Sequence, residues 1–224
     1  MWSGSGAVSD IFREVDEDLR TERAQQLWQR HGKLAVGVAV LVVLGVAGYT
    51  LWQQRVTESR MSAGSHYAEA ENELARGNKD QAAAGWGLLV QEAKGDGYGL
   101  LARLRLAALA AEKGEATAAA SQYKAIAADT AVAQEYRDLA TLGAAQAEAA
   151  TLTPDALETA LKPLLADNHP LRAQAREILA AAFLKAGKTD QARTLLAAIS
   201  DDPGSPTGVR ARATELLAAL GKAG

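Results

Sequence analysis

The chain has 224 residues and a formal net charge of −3, so it is long enough for one medium domain plus a further segment and too weakly charged for electrostatic association with DNA or RNA. Hydrophobic residues make up 48% of it, and because Ala, Leu and Val supply most of them while Phe occurs only twice, closely packed helices are favoured. Cysteine is absent, which excludes disulfide bonds, thiolate nucleophiles and cysteine-based metal sites.

Residues 1–33 form a predicted leader with an amphipathic helix. Ser9 is a candidate N-cap, and Ile11, Val15 and Leu19 recur on one stripe at helical spacing. Acidic residues outnumber basic ones in the first part of this helix, so it does not have the composition of a polybasic lipid-binding segment. Contact with another protein and a merely solvated helix are both open interpretations.

An uncharged and mostly apolar stretch follows the leader, from Leu34 to Trp52. Its roughly 19 residues, at about 1.5 Å rise each, can cross a hydrocarbon layer of about 30 Å. Lys33 and Arg55 bracket the stretch, and Tyr49 lies with Trp52 where interfacial aromatic residues are expected. We therefore predict a single transmembrane helix over residues 34–53.

Two other interpretations of this stretch are a buried helix of a soluble core and the hydrophobic region of a cleaved signal peptide. The signal-peptide interpretation is disfavoured because the preceding segment is about 33 residues long and largely acidic, and no small-x-small cleavage pattern follows Trp52. The sequence predicts that the segment stays attached.

Positive charges near the two ends of the span predict its orientation. Those on the N-terminal side are Arg20, Arg23, Arg30 and Lys33, and those on the other side are Arg55 and Arg60. The excess on the N-terminal side predicts a cytoplasmic N-terminus. Residues 54–224 would then lie across the membrane, which is the periplasm if the source is a Gram-negative bacterium and the span lies in its inner membrane.

One side of the predicted span carries small residues. On a helical wheel Gly37, Leu41, Gly45 and Gly48 fall together, which forms a smooth strip that a second transmembrane helix could approach. The alternative is that glycine is simply common in transmembrane helices.

Beyond Arg55 the pattern is helical throughout, with short breaks that recur along the chain. GNKDQA at Gly77–Ala82 matches GKTDQA at Gly187–Ala192, and KGEATAA at Lys113–Ala119 holds a related position. A small residue follows each glycine at the fifth position and a larger one at the ninth, as in the tetratricopeptide motif. The domain over residues 54–224 is therefore predicted to be an all-α, tetratricopeptide-like α-solenoid.

The spacing also predicts how many repeat units the domain holds. The turn glycines are separated by 37 and then 73 residues, about one and two periods, so a further unit is expected near residues 136–166. This makes about four degenerate helix pairs, followed by a capping helix from Ser205-Pro206 to Gly221. The structural positions of the motif are Gly77, Ala82, Trp86, Leu106, Gly114, Ala119, Tyr123, Leu142, Gly143, Leu179, Phe183, Gly187, Ala192 and Leu196.

The sequence shows no pattern typical of catalysis, so we predict that the protein is not an enzyme and needs no metal or cofactor. His31, His66 and His169 are far apart in the sequence and form no metal-binding motif. GDGYG at Gly95–Gly99 lacks a preceding strand and is better interpreted as a turn between helices than as a phosphate-binding loop. A peptide- or glycan-directed enzyme is the alternative, and it would require histidines and carboxylates clustered in a cleft.

Three segments in order resemble the YfgM-like family, the ancillary subunit of the SecYEG translocon with a tetratricopeptide-like periplasmic domain. They are HGKLAVGVAVLVVLG at His31–Gly45, YGLLARLRLAALAAEKGE at Tyr98–Glu115 and AREILAAAFLKAGKTDQAR at Ala175–Arg193. The leader resembles that of α-proteobacterial members, whereas residues 1–8 have no recognised counterpart.

The resemblance implies an inner-membrane protein whose partners are translocon subunits, the periplasmic chaperone PpiD and exported chains. Its expected function is a scaffold in protein export. The alternative is an accessory or assembly subunit of another bacterial membrane protein complex.

Overall fold

The computed structural model describes residues 6–221, with side chains from residue 28 onward except 29 and 35. Helices account for most of this part of the chain, and none of it is strand. The helices are α1 (Gly6–Ala75), α2 (Lys79–Glu92), α3 (Gly97–Glu112), α4 (Ala116–Ala127), α5 (Gln134–Glu148), α6 (Pro154–Leu161), α7 (Arg172–Lys185), α8 (Thr189–Ser200) and α9 (Thr207–Ala219). A short 3₁₀ helix, Lys162–Leu165, follows α6.

The chain consists of two compact units, Met1–Ser59 and Arg60–Gly224. The first holds most of α1, a helix near the N-terminus that is long and apolar enough to cross a membrane. None of the described side chains in its most apolar window is buried; Leu41, for example, is 69% exposed. The stripe of Ile11, Val15 and Leu19 falls on side chains outside the described ones.

Helix α1 differs from the sequence-based expectation at its start and in its length. The first described residue, Gly6, is already helical, so Ser9 lies inside the helix and is not its N-cap. Helix α1 also runs past the end of the apolar stretch to Ala75, because residues 53–63 contain neither glycine nor proline to interrupt a helix. The last part of α1, from Arg60, is the first helix of the first repeat unit.

Three of the turns between paired helices have the same backbone geometry. Gly77, Gly114 and Gly187 take φ angles of 86°, 78° and 73°, a left-handed conformation that glycine adopts without a steric penalty. Each glycine N–H donates to the carbonyl three residues earlier, and the next N–H donates to the carbonyl five residues earlier, at 2.9–3.0 Å. This is the Schellman motif, and it explains why the turn sequence recurs.

The second unit of the chain contains four helix pairs and a final helix, which confirms the predicted fold. The end of α1 pairs with α2, as the cluster that joins Ala63 and Ala70 to Trp86 shows. The other pairs are α3 with α4, α5 with α6, and α7 with α8, and α9 packs on α7 and α8. The first helices of successive units also contact one another: α3 contacts α5, α5 contacts α7, and α7 contacts the final helix α9. This arrangement is typical of a helical-repeat stack.

The third pair has a different turn but keeps the repeat register. Thr153 caps α6, its hydroxyl accepting the Ala156 N–H at 3.3 Å, and Pro154 occupies the first helical turn. In the other three pairs, the residue four positions after the N-cap of the second helix is a fully buried alanine. These alanines are Ala82, Ala119 and Ala192. Leu157 occupies that position in α6, so the third pair places a large side chain where the others have alanine.

Two clusters of buried residues form the core of the repeat domain. One surrounds Trp86 and Leu89 and includes alanines of α1 and α3. The other surrounds Leu157, Leu179 and Leu196 in the last two helix pairs and includes Val209 and Ala213 of α9. Alanine-rich helices can approach closely enough for a few large side chains to fill the spaces between them.

Candidate binding groove

A groove of about 580 Å³ runs across the first helices of the four repeat units. Side chains of α1, α3, α5 and α7 line it, because successive first helices contact one another along the stack. Its volume lies within the range of about 300–1,000 Å³ that is usual for ligand sites.

The middle of the groove is aliphatic. Leu101 and Leu104 of α3 face it, with Leu139 and Leu142 of α5 and Ile178 of α7. Leu139 is 45% exposed, which is unusual for a large aliphatic side chain beside other apolar groups. These residues present an apolar surface that a partner could cover.

Tyr123 reaches the groove from α4, and Gly143 allows it to do so. A Cβ atom added at Gly143 would lie 2.8 Å from the Tyr123 ring, so only a glycine lets the ring rest on the α5 backbone. Burial raises the pKa of the Tyr123 hydroxyl above its ordinary value, and the negative charge of Glu112 raises it further. Tyr123 therefore stays uncharged at physiological pH.

An ion pair lies at the α1 end of the groove. Arg105 Nε and Nη2 donate to the two carboxylate oxygens of Glu71 at 2.6 and 2.8 Å, and Nε also lies 3.2 Å from the Tyr67 hydroxyl. The hydrogen bond to Tyr67, together with Glu71, raises the pKa of the Arg105 guanidinium. Such a bidentate pair holds both side chains in a defined geometry.

A second pair of the same kind lies near the α7 end. Arg212 of α9 donates to both oxygens of Glu177 at 2.6 and 2.8 Å, and the Glu177 carboxylate raises the pKa of Arg212. The partners in the two pairs are 34 and 35 residues apart, about one repeat period. Both pairs join neighbouring first helices through an arginine nine residues before a turn glycine, although Glu71 stands six and Glu177 ten residues before its own turn glycine.

One polar atom beside the groove lacks a partner in the described part of the chain. Gln174 lines the groove, and its Oε1 is buried without a hydrogen bond. Buried polar atoms are normally satisfied by protein or by water, so this oxygen can accept a hydrogen bond from a water molecule or from a bound partner. The terminal amide turns about a soft torsion, which makes a small rotation toward the groove inexpensive.

The predicted motif residues occupy three environments: the groove, the core and the turns. Tyr123, Leu142 and Gly143 meet in the groove. The buried positions are Ala82 and Trp86 in one cluster, Leu179, Phe183, Ala192 and Leu196 in the other, and Ala119 outside both. Leu106 is partly buried, and Gly77, Gly114 and Gly187 form turns.

The glycine strip of α1 belongs to the other compact unit. A Cβ atom added at Gly37, Gly45 or Gly48 would meet none of the described residues within 4 Å, and Leu41 is exposed. The strip is therefore exposed, as are the other described residues from 36 to 52.

Four residues line the groove but are not among the positions predicted from the sequence: Leu101, Leu104, Arg105 and Leu139. The repeat register could have indicated two of them. The residues ten positions before the turn glycines are Tyr67, Leu104 and Glu177, and all three line the groove, while Arg105 follows Leu104 directly.

The histidines occupy separate positions. His169 Nδ1 accepts the Leu171 N–H at 3.1 Å, and its Nε2 lies 3.1 Å from an Asp138 oxygen, so it joins α5 to the loop before α7. His66 Nδ1 lies 3.8 Å from Glu92. His31 belongs to the other compact unit.

Comparison with known proteins gives one family. A family model described as a tetratricopeptide repeat-like domain matches residues 25–206. Neither the search of curated proteins nor that of solved structures finds a match.

Proposed function

Because the chain belongs to the tetratricopeptide repeat-like domain family, we propose that it is a membrane-anchored scaffold that holds other proteins beside a protein-export channel. Domains of this family generally mediate protein–protein interactions and are typically non-enzymatic. The observation that carries the proposal is the groove, whose exposed aliphatic surface crosses the first helices of the repeat units. Such a surface gives a partner an apolar area to bury.

The anchor in this proposal is the apolar stretch of α1, residues 34–53. Its side chains are exposed, as those of a lipid-facing helix would be, and charged residues flank it on both sides. The excess of basic residues before the span supports a cytoplasmic N-terminus and a periplasmic repeat domain in the inner membrane.

The proposed partners are SecYEG translocon subunits, a periplasmic chaperone such as PpiD, and exported chains. They follow from the resemblance to the YfgM-like family and from the combination of anchor and repeats. In this arrangement the anchor keeps the domain near the channel, and the groove binds the partner.

Affinity purification from membranes tests this function. Full-length tagged protein, extracted in mild detergent, should co-purify with the translocon or the chaperone. Loss of both, with the tagged protein intact, would refute the proposal. A photo-crosslinker in place of Leu139 should label the partner, and one in place of Leu88, which is 60% exposed and outside the groove, is the matched control.

A second candidate is an accessory or assembly subunit of a different membrane complex, docked through the span. The exposed strip of Gly37, Gly45 and Gly48 supports it. Under this alternative, Gly45→Leu should abolish co-purification, whereas Val43→Leu on the opposite side of the helix should not. If the repeats dominate docking, both variants should behave like the wild type.

A further inference from the structure

The groove has a chemical character that narrows the class of segment it can bind; this inference rests on the proposed function. Its middle is formed by Leu101, Leu104, Leu139 and Leu142, and the first helices present them side by side. Water-exposed aliphatic surface is unfavourable, so covering it contributes to binding in proportion to the apolar area buried.

The charges in the groove are already neutralised. Among the described lining residues Arg105 is the cation, and Glu71 and Tyr67 engage its guanidinium on one edge. Glu177 is held in the same way by Arg212. A charged ligand would have to lose its hydration and compete with a bidentate partner, so the groove favours an uncharged ligand.

The unpartnered Oε1 of Gln174 adds a polar requirement. It lies in the lining beside the aliphatic surface, where a backbone N–H of a bound chain could donate to it after a small rotation of the amide. A polypeptide with aliphatic side chains offers both the apolar groups and this donor. A lipid acyl chain offers the apolar groups alone.

We infer that the groove binds an uncharged, aliphatic segment of a partner polypeptide, and that it discriminates against acidic and basic segments. Leu139 is the central contact, because it is the most exposed of the groove leucines. The Glu71–Arg105 pair determines this specificity, because Glu71 neutralises a cation that would otherwise attract carboxylates.

Fluorescence anisotropy with full-length protein in lipid nanodiscs tests the inference. The probes are labelled peptides of equal length on one serine–glycine background, with amidated C-termini and leucine, glutamate or lysine at the variable positions. Empty nanodiscs measure partition of the leucine peptide into lipid. We expect specific binding of the leucine peptide and measurable but at least about tenfold weaker binding of the other two.

Two variants with a matched control connect binding to the groove. Leu139→Asp should weaken binding of the leucine peptide by about tenfold or more. Leu88→Asp makes the same chemical change at an exposed leucine of α2 outside the groove and should leave binding unchanged. Thermal unfolding of both variants checks that each is folded.

A third variant weakens the discrimination against the acidic peptide. Glu71→Gln frees the Arg105 guanidinium from its carboxylate partner and should raise the affinity for the glutamate peptide by about two- to fivefold. Equal binding of all three peptides, or an unchanged affinity in folded Leu139→Asp, would overturn the inference. If the translocon still co-purifies with Leu139→Asp, the proposed association with the export channel is supported independently of the groove. The peptide affinities then decide what the groove binds.

Discussion

Gly99 should be one of the least replaceable glycines of the repeat domain. It lies in the first turn of α3 and is buried, and a Cβ atom there would lie 2.3 Å from the Ala93 carbonyl oxygen. A carbon and an oxygen in favourable contact are about 3.3–3.6 Å apart, so the oxygen would have to move by about 1 Å. That oxygen accepts the Asp96 N–H at 2.9 Å, and the movement would disrupt the turn.

The change in the free energy of unfolding for Gly99→Ala follows from three opposing contributions. Overpacking costs about 1–3 kcal/mol and the weakened hydrogen bond about 0.5–1.5 kcal/mol, against a gain of at most about 1 kcal/mol from replacing glycine by alanine in a helix. Gly99→Ala should therefore lower the free energy of unfolding by about 1–3 kcal/mol. For a domain of this size, that corresponds to a fall in Tm of roughly 2–12 °C.

The matched control is Gly97→Ala, two residues earlier in the same turn. A Cβ atom at Gly97 meets nothing within 4 Å among the described residues, so alanine should leave the Tm unchanged or raise it slightly. Thermal unfolding of the full-length protein, followed by circular dichroism, measures both variants. If Gly99→Ala melts at or above the wild type, or Gly97→Ala loses as much stability, the steric reasoning is wrong.

Three further substitutions test other parts of the domain. Leu157→Ala should cost about 2–5 kcal/mol in denaturant unfolding because it leaves a cavity in the core, and a cost below about 1 kcal/mol would mean that α6 repacks around it. Gly187→Ala forces a side chain into φ 73° and should cost about 1–2 kcal/mol by the same measurement. The Gly204 N–H and then Arg172 lower the pKa of Asp202, so its charge stabilises the fold above its unfolded-state pKa and this stability is lost as the pH falls below about 4. Asp202→Asn should therefore lower the Tm at neutral pH by an amount that shrinks in acid, and a constant difference would contradict the assignment.

The turn glycines made the fold predictable from the sequence. A left-handed residue at the end of a helix is a local requirement that glycine meets, so Gly77, Gly114 and Gly187 mark their turns directly. The altered third pair was found from the doubled spacing between two of these glycines, and Thr153-Pro154 marks the start of its second helix. The prediction of four pairs and a final helix is confirmed.

The groove could not be predicted in the same way, because it depends on contacts between distant parts of the chain. Leu139 belongs to a helix whose apolar residues extend over more than one face, so its sequence alone does not distinguish an exposed leucine from a buried one. Pairing between Glu71 and Arg105 requires the register of α1 against α3. The length of α1 was missed because no local signal ends the helix where the apolar stretch ends.

The repeat register separates the residues that maintain the fold from those available for recognition. The turn glycine and the buried alanine five residues later recur in three of the four units, because these three hairpins share the same turn and the same close packing. Ten positions before the glycine, however, stand Tyr67, Leu104 and Glu177, which share a place in the groove and differ in chemistry. A change at these positions alters what the groove presents without touching a turn. The scaffold can therefore keep its fold while its choice of partner varies, and partner specificity should be sought at the groove positions that the repeat does not constrain.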